Sequence, residues 1–568
     1  MLAEIVPPEI LTPPDAYSRG FHRHNGALVI DGWLRRLAGQ DARCRMVLGR
    51  LARAFLHVRG QQGLGFARLG DYARERLGMS ARELQSLARV SARLEGLPEI
   101  RRAYENGEVS WAQVRLLIGV ATPDTEGGWL ALARGRTVRA LAARIRGVRG
   151  GEGGEDDDAE EPHIRFRVRC PRRLPRVWRD TVELARRMAG TELTVGQAAE
   201  AIAAEGLSGR PAAPDPWPAL WRPAAEPTDP DETHAAFPPA LDWAAVREAI
   251  PMDVERLADG CETADPFVLD ARLRRVVGAR QRIDWQMGRL LRVFLDRRLC
   301  RLMGFRSAAH YATERLGCSA RKVGALVTLE RKSWQAPALG DAYRAGEVSW
   351  VRALAVLPVV GEQTAAAWVA RAQEVTVRRL VDEVEWALAG RLPCEPVPPP
   401  PAGASLAGPE RQMGAHGEDE WPEAGLAFTA PASVVALFQT AILAFRGPGQ
   451  AHWQGLEALL DHVTTEWAGQ PRHRDPVFAR DGWRCAVPGC TSRRNLHDHH
   501  LLFRSRGGDN GRENRITVCA AHHLHGIHAG RVRAWGVAPD DVTWELGVRQ
   551  GREPLLRLRG DRYVSPAA

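Results

Sequence analysis

Three of the nine cysteines and seven of the seventeen histidines lie between Cys485 and Gly530, in CAVPGCTSRRNLHDHHLLFRSRGGDNGRENRITVCAAHHLHGIHAG. Cys485 and Cys490 flank a Pro-Gly turn, and Cys519 and His522 follow with two residues between them. Two such pairs, each delivered by a turn, match a tetrahedral zinc site. Zinc bound there would staple a segment too small to fold on its own core. A second constellation is His499-His500, Asn514 and His523. Residues 496–503 read as a strand, Gly507-Gly508 turns the chain, residues 516–518 read as a second strand, and residues 520–529 read as a helix stopped by Gly530. That is a ββα unit wrapped around a metal.

The motifs C-x4-C, HH, RSRGG, EN and C-x2-HH, spread over about 50 residues, resemble the HNH (His-Me finger) endonuclease family. The chain is similar to bacterial proteins that carry a helical region before a terminal HNH domain. The resemblance implies that His500 is the general base and that His499 and His523 bind a catalytic divalent ion (Mg2+, Mn2+ or Ni2+). It implies that Asn514 orients the loop and the base, with Arg504, or Arg506, on a phosphate. Cys485, Cys490, Cys519 and His522 would hold structural Zn2+. The reaction implied is hydrolysis of DNA phosphodiesters, with RNA not excluded.

This chain departs from the family pattern in two places. The family often has Asp before the base, and here Asp498 lies one place earlier. Asp498-His499 therefore competes with His499-His500, which keeps the spacing to Phe503 and RSRGG. Where this chain has His522, the family more often has Cys. A third catalytic-metal ligand is open: His528 follows His523 by five residues, about 140° around an α-helix. His497 and His525 read as surface or supporting histidines. Two other functions remain in play: a zinc-stapled DNA-binding protein with a vestigial site, and an RNA-directed or toxin nuclease.

The elements that must position these residues follow a long helical region with an internal duplication. Residues 49–111 align without gaps onto residues 288–350, shifted by 239, with 27 of 63 positions identical. GRLARAFL answers GRLLRVFL, and AYENGEVSW answers AYRAGEVSW. Leu, Ala and Val recur at helical spacing, and Ser80 and Ser319 follow turn glycines where they can cap the next helix. The helix–LGMS–helix pattern resembles a helix-turn-helix that would place Ala81 to Val90 in a major groove, but its loose spacing, with Arg74 and Thr313 where a small residue is usual, favours a plain helical hairpin packing within a bundle. Trp111 and Trp350 read as core anchors. Short β-like runs follow each copy, at residues 164–168 and 426–429.

The expected architecture is mainly α: two duplicated helical repeat units followed by a small zinc-stapled ββα domain. Its parts are repeat unit 1 (28–205), a Pro-rich linker with short helices (206–269), the core of repeat unit 2 (270–391), a Pro/Gly-rich linker (392–425), a strand and helices completing unit 2 (426–470), and the nuclease domain (471–547).

Composition agrees with a nucleic-acid partner. The formal charge is +9 in 568 residues. Between Pro471 and Trp535 twelve Arg face five carboxylates, the balance expected of a segment that binds phosphates. No apolar run is long enough to span a membrane. The Pro-rich Met1–Gly20 lacks the pattern of a secretory signal, and nine cysteines, an odd number, suit a reducing cytoplasm. Oligomeric state is not legible.

Overall fold

The computed structural model describes residues 21–148, 163–171, 173–208, 254–389, 397–401, 404, 406, 424–468 and 476–564. The Gly/acidic run 150–161 and most of the two Pro-rich linkers lie outside the described residues.

The molecule is mainly helical, with small sheets, the largest at the C-terminus. Two long helices form its axis: α1 (Phe21–His57) and α3 (Pro266–Asp296), each carrying a shorter partner, α2 (Ala81–Glu95) and α4 (Ala320–Gln335). Asp265 opens α3 as N-cap, accepting from Phe267 N (2.8 Å) and Val268 N (3.2 Å). Ser80 and Ser319 cap α2 and α4 as expected, accepting from Glu83 N and Lys322 N. The α1–α2 approach is close: a Cβ at Gly49 would lie 2.7 Å from the Leu87 carbonyl oxygen. At the position 239 later, a Cβ at Gly288 would meet Leu326 O at 3.1 Å.

The two halves interlock. Tyr72 Oη donates to Asp270 (3.1 Å), which Arg76 also grips through Nε and Nη2 (3.2 and 2.6 Å). Tyr311 and Arg315 grip Asp31 in the same way, at 3.0 to 3.1 Å. Near the centre Arg280 Nε donates to the buried Asp41 (2.7 Å), which also pairs with Arg45 (2.6 Å). Burial alone would raise the Asp41 carboxyl, but Arg280 and Arg45 hold it far below the usual carboxylate range. Gly78 of the LGMS turn sits against Ser349 and Trp350, and Gly317 sits against Ser110 and Trp111. These turns are thus packed between the halves, and α2 buries Leu84, Leu87, Val90 and Leu94, which is hairpin packing. Trp111 and Trp350 are half-buried at this seam rather than deep in the core.

The β-like runs do not complete separate units. β1 (His163–Cys170) pairs antiparallel with β2 (Ala424–Pro431), and the helices after each strand close over one shared core around Phe166, Trp178, Phe428 and Phe438. At the C-terminus β3 (Leu496–His500) pairs with β4 (Arg515–Cys519). A four-stranded sheet follows: β5 (Val532–Val537), β6 (Asp541–Leu546), β7 (Leu556–Arg559) and β8 (Arg562–Tyr563). It runs past residue 547, where the sequence suggests the last domain ends. Cys485, Val487, Ile516, Val518 and Trp544 join the same apolar core as Leu48, Phe55, Leu273 and Phe294 of the long helices. Among the described residues no helix is long and apolar enough to cross a membrane.

Candidate metal centres

Cys485, Cys490, Cys519 and His522 converge, all buried, with their ligand atoms within 4.8 Å of one another. Local structure explains the convergence. Cys490 N closes a tight turn onto Val487 O (3.0 Å), and Ala486 N donates to Thr517 O (2.8 Å), which fixes this knuckle beside β4. Cys519 ends β4, and His522 lies in the first turn of the segment that follows. His522 Nδ1 lies 3.4 Å from Cys485 Sγ and 3.5 Å from Cys519 Sγ, while Nε2 meets the Gly65 carbonyl oxygen at 3.1 Å. Because a carbonyl only accepts, Nε2 carries a proton, which leaves Nδ1 as the nitrogen that faces the sulfurs.

The charges fit a cation. Hydrogen bonds from Cys485 and Cys490 hold the Cys519 thiol far below its usual range. Burial alone would lower His522, but the Cys485 and Cys519 sulfurs push its imidazole up to about 10. In the metal-free fold the thiolate and the imidazolium balance each other, and a cation held by the four ligand atoms would displace the ring proton that faces the sulfurs. The helical halves hold the knuckle from outside. Arg378 Nη1 donates to the carbonyls of Cys485, Val487 and Cys490, and its Nη2 grips Asp561. Asp71 accepts from Thr491 N and Oγ1.

A second cluster lies beside the first. The nitrogens of His499, His523 and His528 fall within 4.8 Å of one another. His499, 3% exposed, points from β3 toward the segment Ala521–Ile527. That segment is a π-helix, and His528 N donates to His523 O, five residues back, at 3.1 Å. The wider turn brings residues five apart onto one side, so His523 Nε2 and His528 Nε2 stand 3.2 Å apart. His523 Nδ1 lies 2.9 Å from His497 Nδ1, which makes His497 its supporting partner. Burial, then the neighbouring His523 and His528, lowers His499 to about 4, so its imidazole is neutral and free to ligate at neutral pH.

His500 is half-buried, and its Nε2 meets Asn510 Oδ1 at 3.0 Å. With Nε2 donating, Nδ1 carries the lone pair. Asn514 pins the loop between: Oδ1 accepts from Leu502 N (2.7 Å), and Nδ2 donates to Leu502 O (3.1 Å) and Asp509 O (2.9 Å). Only glycine fits at 508, because a Cβ there would lie 1.8 Å from the Leu502 carbonyl oxygen.

No family model, curated protein or solved structure matches this chain. Asp498 pairs with Arg515 and stays out of the imidazole cluster, while His525 is exposed and belongs to neither cluster. Arg504 is exposed with no partner among the described residues, and Arg506 lies over the Phe503 ring at 5.5 Å. Much of the local Arg excess is used internally. Arg480 pairs with Asp481, Arg484 with Asp382 and Arg493 with Glu183 and Glu192, while Arg494 donates to Ala189 O. Sequence reasoning left His528 open and missed Asn510, Arg378 and the Gly65 carbonyl. The spacing of His523 and His528 was a signal for the first, once a π-turn is allowed. The others come from loops or from parts of the chain far away in sequence.

Proposed function

We propose that this chain is a metal-dependent endonuclease of the HNH type that hydrolyses DNA phosphodiesters. The observation that carries the reading is the His499–His523–His528 cluster, next in sequence to His500, whose Nε2 is held by Asn510. A divalent ion (Mg2+, Mn2+ or Ni2+) on those three imidazoles would supply charge stabilisation for the pentavalent phosphorus and the leaving 3′ oxygen. His500 Nδ1 takes the proton from the attacking water. Asn510 keeps the ring in the productive tautomer, and Asn514 keeps the connecting loop in place. Arg504 offers an exposed cation to a neighbouring phosphate. The placement of Asp498 on Arg515 favours the His499-His500 dyad over Asp498-His499. Zinc is the ion proposed for the Cys3His site, from its donor set. The 239-residue offset, seen both in the sequence and in the Tyr72–Asp270 and Tyr311–Asp31 grips, supports a duplicated origin of the helical body.

Incubating the full chain with supercoiled plasmid and each ion tests the reading. His500→Ala is expected to lower nicking on the order of 10²- to 10⁴-fold, the usual loss for a general base, with the fold intact. Undiminished nicking by the folded variant sinks the assignment. No nicking by the unmodified chain with any of the ions leaves only a binding role.

A further inference from the structure

The Thr-Val-Arg sequence occurs at residues 137–139 and again at 376–378, offset by 239. In the second half it grips the end of the chain. Thr376 N donates to Asp561 O (2.9 Å), and Thr376 Oγ1 donates to Asp561 Oδ1 (2.9 Å). Arg378 Nη2 takes both carboxylate oxygens of Asp561 (2.8 and 2.7 Å). Val375 bridges antiparallel to Arg562, and the Tyr563 hydroxyl donates to Glu75. The scaffold behind this grip is Arg352, which donates to Ala372 O and Val375 O, and Glu75, which accepts from Val377 N (2.8 Å).

Each scaffold contact has a counterpart in the first half. Gln113 Nε2 donates to Ala133 O (2.9 Å) and Arg136 O (3.2 Å), and Glu314 accepts from Val138 N (2.6 Å). Among the described residues, no segment occupies the corresponding place in the first half. Thr137 and Arg139 are exposed, and among the described residues neither Thr137 N nor the Arg139 guanidinium has a partner. Beside them opens a cavity of about 650 Å³ whose lining includes Gln113, Arg136 and Glu314. In the second half the equivalents of two of these, Arg352 and Glu75, hold the Tyr563 hydroxyl, and the third, Val375, bridges its neighbour Arg562.

We propose that the Gln113–Thr137–Arg139–Glu314 cleft is a peptide-docking site for an extended strand of a partner protein carrying Asp and, two residues later, Tyr. Thr137 and Arg139 take the carboxylate, the backbone at Arg136 pairs with the strand, and Glu314 accepts the tyrosine hydroxyl in the cavity. A peptide is favoured over a nucleic-acid phosphate because the contacts that hold the strand in the second half recur here at Gln113 and Glu314. The site is independent of the nuclease reading.

The probe is a fluorescent peptide with the sequence of residues 556–564, titrated against the full chain and followed by anisotropy. Saturable one-to-one binding is expected, weakened at least tenfold by Arg139→Glu, by Thr137→Val, or by asparagine in place of the peptide's aspartate. Arg139 is exposed, so its variant should keep the fold, whereas Thr137→Val also removes the acceptor for Ala140 N, and thermal melts check both. Three outcomes overturn the proposal. One is no saturable binding. Another is binding that survives Arg139→Glu but is lost in Thr376→Val, which would mean exchange with the chain's own tail. The third is a short DNA duplex whose binding, rather than the peptide's, depends on Arg139 and Thr137.

Discussion

His523 and His528 show how much one backbone turn decides at the scale of a residue. On an α-helix their side chains diverge, and on the π-turn that forms here they meet at 3.2 Å. His499→Ala and His528→Ala should therefore lower plasmid nicking by weakening ion binding, and added Mn2+ or Mg2+ should restore much of it. Lost activity that no ion concentration recovers would remove both residues from the ligand set. His499 also predicts a pH effect. Its imidazole drops from 6.5 in the unfolded chain to about 4 in the fold, so the native state binds fewer protons in that window. Stability of the metal-free protein should fall as pH drops from about 6.5 to about 4, by about 3 kcal/mol at most, and level off below. Denaturant midpoints across this range read the effect, and His499→Gln should flatten the slope. The Cys3His group and the closeness of His499 to His523 were legible because metal chemistry restricts residue type and spacing. Asn510 was not, since a loop side chain that merely orients a ring carries no spacing rule.

At the scale of elements, strands and caps were legible where local chemistry dictates them. Ser80 and Ser319 cap their helices, and β3 and β4 fall close to residues 496–503 and 516–518, which read as strands. The LGMS turn left two readings open, because its pattern is the same whether the turn faces a DNA groove or Trp350, and the packing found is the hairpin that its loose spacing favoured. The Cys3His knuckle belongs at this scale too. A metal staple on an independent small domain would release that domain alone when cut. Here the knuckle shares a core with α1 and α3, and Gly65, Asp71 and Arg378 reach into it. Cys485→Ser, or a strong chelator, should thus lower the melting of the long-helix core along with the C-terminal strands, in one calorimetric transition. A separate low-temperature transition that leaves the helical transition in place would refute this.

For the whole molecule, the 239-residue offset identified which segments are alike but not which would touch. Alignment cannot distinguish Tyr72 gripping an aspartate of its own half from Tyr72 gripping Asp270 across the seam. The structure has the cross-seam grip, twice. Asp270→Ala removes the acceptor from Tyr72 and leaves Arg76 buried without its counter-charge. Breaking a buried pair from one side typically costs about 3 to 5 kcal/mol, and urea unfolding of the full chain should show a loss of that order. Asp31→Ala should cost less, since Arg315 is 39% exposed on its side chain and water can take the place of the carboxylate. Equal losses would mean that exposure does not govern these two grips.

Arg378 ties these scales to heredity. One guanidinium in the helical body holds three carbonyls of the cysteine knuckle and a carboxylate near the end of the chain. The C-terminal module is therefore no cassette that recombination can shuffle onto an arbitrary carrier. A chimera must inherit Arg378, Asp71 and the loop at Gly65 together with the histidines, or the graft arrives without its foundations.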